Sequence, residues 1–179
     1  MRQGDQGAAA PAPSQSTSHK WLLVEQLKDQ IRAAASNARR EAEAAAEEAR
    51  EGASPAEKRL DARVAIEYAS LARGQAQREA RAREALATLA SFRPGRLGPR
   101  GPIGLGAIVE VEDEGEGRTF FLAPVGAGVE LTMPGGDGFL TVVTPASPLG
   151  RAVLGRRVGD WVEVTVDGEP REWQVTFVG

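Results

Sequence analysis

Apolar side chains recur at helical spacing through the first half of the chain. Val24, Ile31, Ala38 and Ala45 repeat every seven residues, and Leu27 and Ala34 fall between them. A heptad repeat of this kind is typical of a coiled-coil seam. A second stripe with a polar middle runs through Leu60, Val64, Leu71, Gln75, Ala82, Leu86 and Leu89. The pattern predicts two long helices within residues 19–92.

Signals that end one helix and begin the next lie together at residues 51–56. Gly52 suits the position after a helix C-terminus, Ser54 suits an N-cap, and Pro55 suits the first helical position. Glu57, three residues after Ser54, completes a capping box. The short connection predicts an antiparallel coiled-coil hairpin with its tip near 51–56. Residues 1–18 are small and polar, which predicts a disordered tail.

From residue 107 onward the apolar positions alternate instead of following a helical period. Short runs rich in β-branched and aromatic residues predict strands at 107–112, 118–122, 128–131, 139–143, 161–166 and 173–178, with a hairpin turn at 167–170. Ser147 as an N-cap, Pro148 after it and Gly155 at the end predict one short helix. Residues 93–106 contain five glycines and three prolines, which predict a linker. The fold class is therefore α+β, with a helical hairpin before a small, mainly antiparallel β domain at 107–179.

Composition narrows the chemistry that the chain can perform. It has no cysteine and one histidine, His19, which excludes thiolate and multi-histidine metal sites and argues against a catalytic triad. The net charge of −3 argues against binding nucleic acid mainly through positive charge. No apolar run approaches the ~20 residues that span a bilayer, and the first residues do not resemble a signal peptide. These features predict a cytoplasmic protein, and a hairpin that pairs with itself favours a monomer.

A family resemblance becomes visible between the fourth and fifth predicted strands. Residues 147–160, SPLGRAVLGRRVGD, resemble the C-terminal domain of the Gre family of bacterial transcription elongation factors. Residues 106–111, 121–124, 142–145 and 161–164 fit the same domain, and the resemblance covers roughly residues 20–179. Because the family places an FKBP-like domain behind an antiparallel coiled coil, the resemblance implies the same architecture here.

The resemblance also implies a partner, bacterial RNA polymerase. In the family, the globular domain docks at the rim of the secondary channel and the coiled coil enters it, close to the 3′ end of the nascent RNA. Acidic tip residues there help to hold a second Mg²⁺ in the active site of the polymerase. The resemblance implies a factor that is not itself an enzyme and holds no stable metal or cofactor of its own. It assigns polymerase binding to Ser147, Pro148, Leu149, Gly150, Arg151, Arg156 and Arg157.

The tip departs from the family pattern. Active Gre factors carry a motif close to D-x-x-E-N-A-E-Y, and nothing like it stands between the two predicted helices, so the chain resembles a divergent branch. Acids still cluster there, and Glu48, Glu51, Glu57 and Asp61 are the candidates for assisting the polymerase Mg²⁺, since carboxylates are natural ligands of hard cations. Three alternatives stay open: a competitor of Gre factors that does not promote cleavage, an FKBP-like prolyl isomerase, and a coiled-coil interaction module.

The three tryptophans are candidates for packing or for partner contacts. Trp21, near the start of the first helix, is expected to anchor the hairpin to the β domain. Trp161 and Trp173 alternate with polar residues on predicted neighbouring strands, and each is expected either in the core or on a surface that faces a partner.

Overall fold

Two long helices open the computed structural model, which describes residues 15–51, 61–95, 97–98, 100–113, 115–133, 135–136, 138–166 and 168–179. Helix α1 runs from Gln15 to Glu51 and helix α2 from Asp61 to Ser91. Alanine, arginine and glutamate dominate both segments and favour helix. Residues 15–18, which the composition assigns to a disordered tail, belong to α1. The predicted connection around Gly52, Ser54 and Pro55 lies outside the described residues.

The two helices pair in antiparallel fashion, which confirms the predicted hairpin. Leu27 from the first part of α1 and Leu89 from the end of α2 belong to one buried cluster. Val24 is also buried there, and Ile31 and Ala38 are half-buried along the predicted seam. Farther along, Ala34 is exposed and Ala35 is half-buried, so the seam shifts by one position. In the described part of the chain, neither helix has the apolar run that a membrane crossing would need.

The second part of the chain forms one six-stranded sheet in the order β3-β4-β2-β1-β6-β5. The strands are β1 Ile108–Asp113, β2 Glu116–Leu122, β3 Glu130–Thr132, β4 Phe139–Val143, β5 Trp161–Val166 and β6 Glu169–Val178, with helix α3 at Pro148–Val153. All neighbours are antiparallel except β2 and β4, which are parallel. This one parallel pair arises because β3 and β4 form a hairpin whose second strand lies beside β2.

The turn before β6 is shorter than the sequence indicates. Residues 167–170 are predicted as a turn, but β6 already begins at Glu169 and places Pro170 opposite Thr165. Proline lacks the amide hydrogen that a central strand needs. Pro170 is tolerated because β1 pairs with β6 only from Gln174 onward, so no described strand pairs with Pro170 on its other side.

Each face of the sheet has its own buried cluster. On one side, side chains such as Val109, Phe120 and Val175 pack together with Val153 of α3. On the other side, Phe121, Leu140 and Val142 pack beneath the base of the helical hairpin, against Leu23, Val24, Leu27 and Leu89. The helices therefore cover one half of one sheet face, near β2, β3 and β4.

The glycine- and proline-rich segment before β1 packs against the β domain. Pro94 and Ile103 are buried, and Ile103 belongs to the cluster on the α3 side of the sheet. The amide of Ile103 donates to the carbonyl of Arg156 at 2.7 Å, and the amide of Gly155 donates to the carbonyl of Ile103 at 2.8 Å. These two bonds hold part of the predicted linker against the chain that follows α3.

Polar contacts join the hairpin base to the edge of the sheet. The amide nitrogen of Gln26 donates to the carbonyl of Thr132 at 3.1 Å, and the amide of Thr132 donates back to the Gln26 side-chain oxygen at 3.0 Å. Gln26 thus pairs with edge strand β3 as a neighbouring strand would. Trp21 is half-buried, and the guanidinium of Arg93 lies 5.4 Å from its ring centroid. The ring of Trp21 therefore contacts Arg93, which lies just beyond the end of α2.

A buried lysine completes this base, and nothing in the sequence pattern marks it. Lys20 is 1% exposed. Its Nζ donates to the carbonyl of Gly95, just beyond α2, at 3.1 Å. Burial lowers the pKa of Lys20 below its usual value of 10.5, because the charged form loses hydration. The lysine therefore ties the start of α1 to the exit of α2 at a cost in desolvation.

Replacing Lys20 with methionine should remove one source of pH-dependent stability. Because the folded-state pKa of Lys20 is lowered, the unfolded chain binds more protons between that pKa and 10.5. The free energy of unfolding of the unchanged protein should therefore rise with pH across that window. We expect Lys20→Met to flatten this rise in urea titrations from neutral pH to 10.5. Lys28→Met, which removes another lysine of α1, should leave the rise of the free energy of unfolding with pH unchanged. Equal slopes in the two variants would contradict the attribution of this pH dependence to Lys20.

Candidate functional site

The segment between β4 and β5 is built around a capped helical turn. Ser147 is the N-cap of α3, with an extended backbone, and Pro148 follows it at the start of the helix. The Ser147 hydroxyl accepts from the amide of Gly150 at 3.1 Å and donates to the carbonyl of Thr144 at 2.8 Å. These bonds confirm the cap that the sequence predicts and account for Ser147 through local structure.

Gly150 is the most tightly enclosed position of this turn. A Cβ atom added to it would lie 1.9 Å from the carbonyl oxygen of Thr144 and 3.0 Å from the Ser147 hydroxyl. Backbone atoms cannot move aside as a flexible side chain can, so only glycine fits. Leu149, next to it, is half-buried against the cluster on the α3 side of the sheet. Of the seven residues proposed to contact a partner, Ser147, Leu149 and Gly150 therefore also have internal roles.

The arginines of the segment point outward and differ in how firmly they are held. An Nη1 of Arg151 donates to the carbonyl of Ala146 at 2.6 Å. An Nη1 of Arg157 donates to the carbonyl of Arg100 at 2.7 Å, and the Arg157 amide donates to an Asp160 carboxylate oxygen at 2.9 Å. Within the described residues, the exposed guanidinium of Arg156 has no hydrogen bond or ion pair.

The same segment also carries exposed apolar side chains. Leu154 is 47% exposed and Val158 is 43% exposed. We call the set of Arg151, Leu154, Arg156, Arg157 and Val158 the α3 surface. It combines apolar area with positive charge on a rigid support, which is the composition of a protein-binding surface. The sequence analysis predicted that the arginines of this surface contact a partner. It did not single out Leu154 and Val158, because apolar residues beside a helix resemble core residues.

The candidate acids at the tip are only partly within the structure. Glu57 lies outside the described residues. For Glu48, Glu51 and Asp61 the backbone is placed, with Glu51 as the last residue of α1 and Asp61 as the first of α2, while their side chains lie outside the description. Over the part of the chain that the structure describes, no three histidine, aspartate or glutamate side chains are grouped to hold a metal ion.

The shaft of the hairpin carries ion pairs of ordinary geometry. Arg39 and Glu43 lie 2.7 Å apart on α1, and Arg83 and Glu79 lie 2.6 Å apart on α2. The hydrogen bond to Glu43 raises the pKa of Arg39, and the charge of Glu79 on the other helix adds to this. Exposed pairs of this kind contribute little stability. They are features of a solvated helical shaft.

Comparisons with known proteins find similarity in the C-terminal part of the chain. Residues 99–179 match the family model described as transcription elongation factor GreA/GreB, C-terminal. A curated transcription elongation factor GreA from Mycobacteroides abscessus is 35% identical over 108 residues, which cover 58% of this chain and 62% of that protein. The match thus spans less than two thirds of the length of this relative.

Similar solved structures include two relatives described as Gfh1. The Thermus aquaticus protein is 25% identical, with 90% of this chain and 95% of that chain covered and a TM-score of 0.37. The Thermus thermophilus protein, a GreA factor homologue, is 24% identical, with 89% of this chain and 94% of that chain covered and a TM-score of 0.36.

Proposed function

We propose that the protein is a transcription elongation factor of the GreA/GreB type that binds bacterial RNA polymerase in the cytoplasm. Residues 99–179 match the model of the C-terminal domain of that family. The match of this domain is the observation that carries the proposal. The proposed binding mode places the β domain at the rim of the secondary channel and the tip of the hairpin inside it. The factor then acts on the polymerase without being an enzyme itself.

The shape of the molecule supports this mode of binding. Helices α1 and α2 are long, and their described large buried side chains, Leu23, Val24, Leu27 and Leu89, lie at the base against the sheet. Farther out the α1 side of the seam is mostly alanine, which favours a close approach of the helices and a slender shaft. A slender shaft with a fixed base can reach into a narrow channel while the β domain stays outside.

The α3 surface supports docking of the β domain. Its turn is held by the Ser147 cap on one side and by the bonds between Ile103, Gly155 and Arg156 on the other. A partner that meets this surface therefore meets a preformed arrangement and need not order it on binding. Arginine contributes strongly to such contacts when it becomes buried, and the exposed Leu154 and Val158 add apolar area to the surface.

We propose that the tip acids assist the polymerase at its own Mg²⁺. Glu48 precedes the predicted tip near 51–56, Glu51 stands at its start, and Glu57 and Asp61 follow it. A carboxylate brought to a weakly held Mg²⁺ adds a hard oxygen ligand, and the metal activates water for hydrolysis of the RNA backbone.

Transcript cleavage in a backtracked elongation complex tests both parts of the proposal. The protein is added with Mg²⁺ to a backtracked complex, the RNA is followed on a gel, and binding is measured in parallel. We expect faster cleavage, reduced on the order of tenfold or more by Glu57→Gln together with Asp61→Asn, with binding retained. Glu41→Gln, an exposed acid on the shaft, is the matched control and should leave cleavage unchanged.

The two measurements separate the remaining possibilities. Binding without faster cleavage would favour a factor that occupies the channel and competes with cleavage factors, and the tip acids would then serve docking or helix structure. No binding to core polymerase at micromolar protein concentration would overturn the proposal as a whole.

A further inference from the structure

The hairpin leaves half of one sheet face uncovered. On the side of the sheet that meets the helices, the buried cluster reaches Phe121 in β2 and the half-buried Ile108 in β1. Beyond Ile108, the same face continues over the outer parts of β1, β6 and β5. There the side chains are solvent-accessible over the described residues. The register of the strands places a distinct group of side chains on this half.

This exposed half combines negative charge with aromatic area. Its members are Glu110, Glu112, Trp161, Glu163, Glu172 and Phe177. We call this set the acidic aromatic face. Glu112 pairs with Gln174, which in turn pairs with Trp161, so a carboxylate and an indole lie two strands apart in one row. Glu163 and Glu172 lie directly opposite each other in the next row of β5 and β6.

A β-bulge brings Phe177 onto this face. Simple alternation from buried Val175 would turn Phe177 inward and Val178 outward. The register between β1 and β6 shifts at Glu110 and Val111, and Phe177 becomes the partner of Glu110. As a result Val178 is buried and Phe177 is 45% exposed. Bulges often re-aim side chains in this way, and here the effect is to expose a phenylalanine.

Stability alone does not account for this arrangement. Like charges directly across two strands, as at Glu163 and Glu172, destabilise a sheet. In the described part of the chain, none of the four glutamates of the acidic aromatic face forms an ion pair. Trp161 is 58% exposed, whereas Trp173 on the other face is 3% exposed. A folded domain gains nothing from presenting a tryptophan and four unpaired acids together.

The arginines of β2 and β6 lie on the opposite face of the sheet. Arg171 of β6 points to the side of buried Trp173 and is 3.8 Å from Asp113. Arg118 of β2 lies 5.0 Å from the centroid of the Trp173 ring. The opposite face thus carries both signs, whereas the acidic aromatic face presents acids without bases among the described side chains of β1, β5 and β6.

We infer that the acidic aromatic face binds a basic, arginine-bearing segment of a partner protein. Guanidinium groups pair with carboxylates through two parallel hydrogen bonds and stack on tryptophan, so arginine matches both features of the face. Nucleic acid does not fit, because its phosphates would meet four carboxylates. Residues 1–14 of this chain do not fit either, since they contain one base, Arg2, and one acid, Asp5. The acidic aromatic face is opposite in charge to the α3 surface.

Titration with an arginine peptide tests this inference without any polymerase. A ten-residue arginine peptide is added to the full chain at low salt, and the indole NMR signals of Trp21, Trp161 and Trp173 are followed. We expect the Trp161 signal to shift and the other two to stay, with tighter binding of the arginine peptide than of a ten-residue lysine peptide. Glu110→Gln, Glu112→Gln and Glu163→Gln together should weaken binding about tenfold.

A matched triple variant controls for net charge. Glu116, Glu130 and Glu169 are exposed and lie on the opposite face of the same sheet. Changing these three to glutamine alters the net charge equally and should change the affinity by less than about threefold. Equal weakening by both triples, or a titration that leaves the Trp161 signal in place, would overturn the inference. Self-association of the protein alone, lost in the first triple variant, would replace the partner segment with a second copy of this chain.

The contribution of the Trp161 ring is measured by the preference of the protein for the arginine peptide over the lysine peptide. Trp161→Thr keeps a residue that suits a strand and removes the stacking surface. We expect this variant to lose the preference for arginine over lysine while it keeps a weakened, charge-dependent affinity for both peptides. An unchanged arginine preference in Trp161→Thr would show that the tryptophan takes no part, and would overturn the arginine-specific form of the inference.

Discussion

Replacing Gly150 with alanine is expected to destabilise the β domain more than any other single methyl addition in the α3 turn. The added Cβ would lie 1.9 Å from the carbonyl oxygen of Thr144 and 2.7 Å from its carbonyl carbon. Both are backbone atoms, so the end of β4 or the start of α3 must move. We expect a loss of about 3 kcal/mol or more in the free energy of unfolding, a large part of the stability of a small domain.

Urea unfolding followed by circular dichroism measures this effect, and two neighbouring variants calibrate it. Gly155 has a φ of +80° and open space around it, so Gly155→Ala carries only the strain of the left-handed backbone, about 1–2 kcal/mol. Ser147→Ala removes the cap and should cost about 1 kcal/mol. A Gly150→Ala variant no less stable than Gly155→Ala would mean that the turn opens freely, contrary to the enclosed geometry.

The α3 turn was predictable because its signals are local. Ser147, Pro148 and Gly155 each mark a position through a backbone rule that applies whatever surrounds the helix. The sequence could not reveal why Gly150 is glycine, because the atom that excludes a side chain belongs to Thr144 and is brought close only by the fold. The same holds for Ile103, whose bonds to Gly155 and Arg156 turn part of the predicted linker into a support for the site.

The hairpin seam was predictable where side chains are large and less so where they are alanine. Val24 and Leu27 are buried as expected, because burial of these larger side chains fixes which side of α1 faces inward. Ala34 and Ala35 are side chains of the same size, so the prediction that Ala34 lies in the seam rested on the heptad spacing alone. A straight helix drifts from a seven-residue repeat, and the structure buries Ala35 more than Ala34.

Burial of Lys20 and the different fates of Trp161 and Trp173 depend on long-range packing. Lysine in a helix is normally exposed, and the acceptor of Lys20 is a carbonyl 75 residues away in the sequence. The two tryptophans alternate with polar residues in the same way, so their pattern left both locations open. The register between β5 and β6 determines which tryptophan is buried. Trp173 pairs with Val162 over the core, and Trp161 pairs with Gln174 on the exposed face.

Reversing the charge of Arg156 should weaken polymerase binding by at least about tenfold while leaving the fold intact. Arg156 is the test position on the α3 surface because its guanidinium, unlike those of Arg151 and Arg157, forms no hydrogen bond or ion pair with other described residues. Arg156→Glu should therefore change the free energy of unfolding by no more than about 0.5 kcal/mol. Fluorescence anisotropy of labelled protein, titrated with core polymerase at several salt concentrations, measures the affinity.

Arg81→Glu provides the matched control, since Arg81 is exposed on α2 and the substitution alters the net charge equally. We expect it to stay within about threefold of the unchanged protein, because screening weakens charges that are not in the interface. Leu154→Ser tests the apolar part of the α3 surface and should weaken binding with little change in salt dependence, whereas Arg156→Glu should reduce that dependence. If Arg81→Glu weakened binding as much as Arg156→Glu, affinity would follow the charge of the whole chain, and the α3 surface would lose its assigned role.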